Sequence, residues 1–202
     1  LRRPRNQVPG IDLAGIVDVT GPGVTGLQPG DEVFGFAAGS LAQLVCAPAG
    51  QLVRRPASLS LEEAATVPEA AMTALQGLRD HGRVRPGQRV LVIGASGGVG
   101  TFAVQIAKAL GAEVTGVCGP TNQDLVRSIG ADHVVDYTKT DVTTVGKRYD
   151  VVLQRRLLTL WNSTKFLVDY ANIEGWTPTW DGLETGPTGE LHDGADRLAH
   201  LG

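Results

Sequence analysis

"LVIGASGGVGTFAVQIAKALGAEV", Leu91 to Val114, passes from an apolar run through a cluster of glycines into a periodic apolar stretch. Val90, Leu91, Val92 and Ile93 are apolar without alternation, the pattern of a strand covered on both faces. Val99, Phe102, Ala103, Ile106, Ala107 and Leu110 recur at helical spacing, and Gly111 suits the position just past the helix end. Between the two lies Ala95-Ser96-Gly97-Gly98-Val99-Gly100. A phosphate binds at a helix N-terminus only if the backbone N–H groups can approach it, and side chains there stand in the way. The dinucleotide fingerprint is G-x-G-x-x-G between a strand and a helix. Aligned on its last glycine, this stretch has Ala95 in the first position, Gly97 facing the pyrophosphate and Gly100 at the helix–strand contact. The competing reading is a tight turn with no ligand. Such a turn does not need three glycines in four positions, which cost backbone entropy on folding.

Downstream, Val114 to Cys118 reads as a second strand and Asp124 to Ile129 as a short helix ending at Gly130. His133 to Asp136 and Tyr149 to Leu153 read as third and fourth strands. Alternating strand and helix units predict a parallel sheet with right-handed crossovers. After Gln154 the alternation stops, and Trp161, Trp176 and Trp180 all fall in this last part. A change of reading frame near Gln154 or a divergent C-terminus would produce such a break.

Upstream, Leu13 to Val19, Glu32 to Phe36, Leu41 to Cys46 and Gln51 to Arg54 read as short strands separated by Pro/Gly turns. Ser60-Leu61-Glu62-Glu63 fits a capping box. Pro68 interrupts the helical pattern, and a second helix is expected from Glu69 to Asp80. The fold class is therefore α/β. A partial Rossmann-type parallel sheet spans residues 59–154, a truncated β domain precedes it over 1–58, and residues 155–202 form a tail of uncertain structure.

The 202 residues are 42% hydrophobic and 19% charged, with a net charge of −3. Scattered Lys and Arg give no basic stripe, so nucleic acid is not an expected partner. Every apolar run is interrupted before it could span a bilayer, so neither is a membrane. Cys46 and Cys118 stand far apart and read as reduced thiols of a cytoplasmic protein.

Several stretches, in order, resemble the medium-chain dehydrogenase/reductase superfamily, in particular its zinc-independent, quinone oxidoreductase-like branch with related enoyl reductases. "VPGIDLAGIVDVTGPGVTGLQPGDEVFGF" resembles the end of that family's GroES-like domain, "LSLEEAATVPEAAMTALQGL" its linking helices, and "VLVIGASGGVGTFAVQIAKALGAEVTGVC" with "LVRSIGADHVVDY" its Rossmann half. The similarity covers Val8 to Leu153, and the chain reads as a fragment of such an enzyme. The resemblance implies cofactor contacts at Ala95, Ser96, Gly97, Gly98 and Val99. It also implies contacts at Thr73 on a linking helix, at Gly119 and Asn122 after the second strand, and at Tyr137 near the adenosine end. Thr73 bonding its own helix carbonyl and Tyr137 as an ordinary strand-end residue are the plain alternatives. Intact relatives imply a homodimer.

The position that bonds the ribose 2′-OH in NAD-binding domains falls in "VCGPTNQ", Val117 to Gln123, which holds no acid. No carboxylate there repels a 2′-phosphate, so NADPH is expected ahead of NADH, although the loop offers Thr121 and Asn122 rather than a base. Catalytic zinc in the alcohol dehydrogenase branch calls for a Gly-His-Glu motif, and here Gly10-Ile11-Asp12 stands in its place. Ile11 binds no metal, two cysteines build no four-Cys site, and the four histidines lack metal spacing. No metal site is expected, and Asp12 is read as a hydrogen-bonding residue. Without zinc an alcohol is hard to oxidise. Reduction of a quinone or enone needs one donor for the developing oxyanion. The expected function is hydride transfer from a nicotinamide to a conjugated carbonyl or quinone, with no catalytic residue assigned. A non-catalytic dinucleotide-binding remnant and an enoyl reductase fragment of a larger synthase are the alternatives.

Overall fold

The structure, a computed structural model, describes residues 8–142 and 148–154. Among these, the chain forms a small antiparallel sheet, a pair of linking helices and a parallel sheet with helices packed on it.

The antiparallel sheet comprises β1 (Asp12–Ile16), β2 (Glu32–Phe36) and β3 (Leu52–Arg54), in that order. Leu13 lies opposite Gly35, and Gly35 opposite Leu52. β1 is shorter than expected. Beyond Ile16 the chain keeps only a bridging pair of bonds, Val17 N–H to the Asp31 carbonyl and Gly30 N–H to the Val17 carbonyl. Leu41 to Cys46 forms no strand, which corrects the sequence reading. Leu41 and Leu44 are 70% and 76% exposed, and the local backbone bond runs from Ala42 N–H to the Ser40 carbonyl, a turn geometry. Apolar and β-branched residues favour a strand only when a neighbouring strand pairs with them.

Ser60 caps α1 (Leu61–Ala65) as the sequence predicts. Its hydroxyl accepts the Glu63 N–H at 3.1 Å, and the Glu63 carboxylate accepts the Ser60 N–H at 2.8 Å. Pro68 opens α2 (Pro68–Leu75), where the missing N–H costs nothing. The helix expected to run to Asp80 changes winding after Leu75 and finishes as a π-helix over Gln76–His81.

In the parallel sheet, β4 (Arg89–Ile93), β5 (Glu113–Cys118), β6 (His133–Asp136) and β7 (Val151–Gln154) stand in the order β6-β5-β4-β7. The chain winds outward from β4 on one side and returns on its other side, so the reversal lies between β4 and β7. In open α/β sheets ligands bind at that reversal, beyond the carboxyl ends of the strands. α3 (Gly98–Ala109) and α4 (Gln123–Ser128) supply the crossovers, and α2 packs along α3. Val90 and Val92 point into the main core with Val104, Val114 and Val126, all fully buried. Leu91 and Val117 face the other side. Both faces of β4 are thus covered, which explains its unbroken apolar run. The buried stripe of α3 is Val99, Gly100, Ala103, Val104 and Ala107, while Phe102 and Ile106 lie at its margin. Among the described residues no helix is long and apolar enough to cross a membrane.

Candidate dinucleotide site

The loop after β4 is built by local bonds. Gly94 turns the chain with φ +77°, a left-handed conformation that glycine adopts without steric cost. Gly94 and Ala95 donate their N–H groups to the Val117 carbonyl at 3.1 and 2.9 Å, tying the turn to β5. Gly97 N–H closes the turn onto the Gly94 carbonyl at 3.0 Å. Alignment on the last glycine puts Ala95 first and passes over Gly94. Its signal in the sequence is a glycine immediately after the strand.

Gly100 sits where the helix crosses this turn. A Cβ on it would lie 2.1 Å from the Gly94 oxygen and 2.9 Å from the Ala95 Cα, so only glycine fits. Close helix–strand packing is therefore its role. Gly97 and Gly98 differ from it. A Cβ on Gly97 would come 3.3 Å from the Gly94 oxygen, a tight contact, and one on Gly98 would meet nothing within 4 Å. Gly97 is the N-cap of α3 and has no side chain to cap with, and no acid occupies the first turn. The first N–H groups of a helix have no partner within it. The positive end of α3 therefore opens onto space that no side chain of the loop fills.

At the far end of the sheet, Asn122 N–H closes a turn onto the Gly119 carbonyl at 3.2 Å. The Tyr137 ring lies against this turn: a Cβ on Gly119 would approach its Oη to 3.2 Å. The structure thus brings Gly119, Asn122 and Tyr137 together, because β5 and β6 pair with Cys118 opposite Asp136. Tyr137 is 55% exposed. Thr73 stands half-buried on α2. Thr66, Thr101 and Ser128 bond carbonyls of their own helices, and Thr73 makes no such bond among the described residues.

Asp136, unremarked in the sequence, is buried beside this end. Its Oδ1 accepts Thr138 N–H at 2.9 Å and Thr138 Oγ1–H at 2.7 Å, and its Oδ2 accepts from Gln123 Nε2 at 3.2 Å. The two bonds from Thr138 hold its carboxyl below the usual carboxylate range. Burial pushes the Cys118 thiol up, and the Asp136 charge adds to this. Asp12 accepts the Glu69 N–H, which gives it the hydrogen-bonding role expected of it. Among the described residues no three His, Cys, Asp or Glu side chains gather as a metal would require.

A family model for the alcohol dehydrogenase GroES-like domain matches residues 1–70, and one for zinc-binding dehydrogenases matches residues 98–154. The chain belongs to the medium-chain dehydrogenase/reductase superfamily. Within it, the chain is quinone oxidoreductase-like. It is 38% identical over 179 residues to a mitochondrial NAD(P)H oxidoreductase of Mus musculus, a match covering 85% of this chain and 42% of that protein. It is 43% identical over 150 residues to a trans-enoyl reductase of Aspergillus terreus, covering 67% of this chain and 41% of that one. The quinone oxidoreductase of Escherichia coli, solved in complex with NADPH, superposes with a TM-score of 0.62 at 33% identity, over 67% of this chain and 42% of that chain. The chain thus spans less than half the length of these medium-chain dehydrogenase/reductase relatives.

Proposed function

We propose that this chain carries the dinucleotide-binding part of an NADPH-dependent oxidoreductase that reduces a quinone or an enone. The observation that carries the reading is the start of α3. An uncapped helix N-terminus, with no acid of its own, opens over Gly98 onto space that a side chain could occupy. A pyrophosphate suits that geometry through backbone N–H groups and the helix dipole. Ser96, Gly97, Gly98 and Val99 would hold it, with Ala95 beneath. Gly119, Asn122 and Tyr137 would take the adenosine end, and Thr73 would face the cofactor from α2.

A bound nicotinamide would supply the hydride for reduction of a conjugated carbonyl. The chain's own part is to position the dinucleotide at the β4–β7 reversal. NADPH is favoured over NADH because Val117 to Gln123 holds no carboxylate. Asp136 is nearby, but both its oxygens are engaged by Thr138 and Gln123. We assign residues 1–58 to the GroES-like domain and 59–154 to the Rossmann domain. Two free thiols fit a cytoplasmic setting.

The alternative reading is a dinucleotide binder without turnover of its own. Titration of NADPH fluorescence and an absorbance assay with quinones and enones separate the two. NADPH binding that Gly97→Val abolishes, with the fold retained by circular dichroism, supports the site. Unchanged affinity in that variant would exclude the loop. Binding without reduction of any acceptor would favour the second reading.

A further inference from the structure

The adenosine end contains a cation that lies outside the dinucleotide fingerprint. Lys139 follows β6 by three residues. The Asp136 carbonyl accepts Lys139 N–H at 3.1 Å and Thr140 N–H at 3.0 Å, and the Asp136 carboxylate holds Thr138. These bonds fold the chain back into a turn. They bring Lys139 Nζ to 4.0 Å from Asp136 Oδ2, the oxygen that also accepts from Gln123, the first residue of α4. The ammonium therefore shares the Asp136 carboxylate with the Gln123 side chain, just past the strand end that carries Tyr137.

Lys139 is available to a ligand. Its side chain is 75% exposed, and its ion pair is at the limit of contact with a carboxylate already holding three shorter hydrogen bonds. Among the described residues, Arg127 is also nearby, but it is committed at 2.8 Å to Asp124 and at 2.9 Å to the Gln123 side-chain amide oxygen. Thr121 and Asn122 in the loop are neutral. An anion arriving here also meets the Asp136 charge, which only a neighbouring cation offsets.

We infer that Lys139 is a specificity residue that pairs with the 2′-phosphate of an adenosine ribose seated against Tyr137 and Gly119. The inference rests on the NADPH reading above and names the charge that this reading lacks in the sequence. An ammonium contributes to phosphate binding as a point charge, so its removal affects a 2′-phosphorylated ligand and spares one without that group.

The test is calorimetric titration of the full chain with 2′,5′-ADP and with 5′-AMP. Lys139→Met is expected to weaken 2′,5′-ADP binding about tenfold, the size of one charge-assisted contact. It should leave 5′-AMP unchanged, and Lys139→Arg should retain the preference. An unchanged 2′,5′-ADP affinity in Lys139→Met, or an equal loss for both nucleotides, would overturn the assignment while leaving the dinucleotide site standing. Failure of both nucleotides to bind the unmodified chain would overturn the site and this assignment together.

Discussion

Asp12 Oδ1 accepts the backbone N–H of Glu69 at 2.8 Å, joining residues 57 positions apart. Glu69 is in the first turn of α2, whose N-cap Val67 offers no side-chain bond. A carboxylate on β1 therefore caps a helix that cannot cap itself, and ties the antiparallel sheet to the helix bearing Thr73. Asp12→Ala should cost about 1 kcal/mol, the usual cost of a lost N-cap. Asp12→Asn keeps an acceptor and should cost less. Urea unfolding of the three proteins checks the order, and equal midpoints would refute the capping role.

The pH dependence of that site has a definite sign. Burial raises the Asp12 carboxyl above its usual value, partly opposed by the Glu69 N–H. A raised folded-state value means that the neutral acid suits the fold. The contribution of Asp12 is complete below the unfolded pKa, about 3.9, and is lost as pH rises through the higher folded value. Asp132 behaves oppositely. Burial alone would raise it, but Lys108 and the Val114 N–H outweigh burial and lower it. Its contribution is present above about pH 4 and is lost as pH falls through the folded value. Unfolding midpoints from pH 3 to 6, on the order of one step per half unit, should show Asp132→Asn flattening the acid limb of the profile. In the same series Asp12→Asn should flatten the decline on the other side of its folded value.

Glycines of the loop should respond to alanine with opposite signs. Gly100→Ala forces a Cβ to 2.1 Å from the Gly94 oxygen and should destabilise by about 1–3 kcal/mol or more. Gly98→Ala meets open space in a helix and should stabilise by up to about 1 kcal/mol. Thermal melts decide it. A Gly100→Ala variant as stable as the parent would contradict the close crossing of α3 over the turn.

The two thiols should differ in reactivity. Cys46 is exposed, whereas Cys118 is buried with its thiol pushed up by burial and the Asp136 charge. A maleimide should label Cys46 within minutes and leave Cys118 until the protein unfolds, by order-of-magnitude reasoning from thiolate fraction and access. Peptide mass spectrometry reads both sites. Equal labelling rates in the folded protein would count against the burial of β5.

Zinc should be absent from protein purified without added metal. Ile11 stands where a ligand would be, and the neighbouring Asp12 carboxylate is spent on Glu69. Elemental analysis showing about one dialysis-resistant zinc per chain would contradict this.

Features set by neighbours in the chain were legible in the sequence alone. The Ser60–Glu63 capping box, the α3 period and the glycines before it depend on residues within a few positions of one another. Backbone geometry converts such spacing directly into structure. Apolar patterning likewise placed the alternating strands and helices from Arg89 onward. Three-dimensional neighbours decided the rest. Leu41 to Cys46 has strand-like composition but no partner strand to pair with. Gly94 became the turn residue because β5 offers the Val117 carbonyl to the loop. Asp12 found Glu69, and Asp136 found Gln123, because the fold places distant segments side by side. Hydrogen bonds and charges act over a few ångströms of space, whatever the separation in sequence, so those partners emerge only in the folded chain.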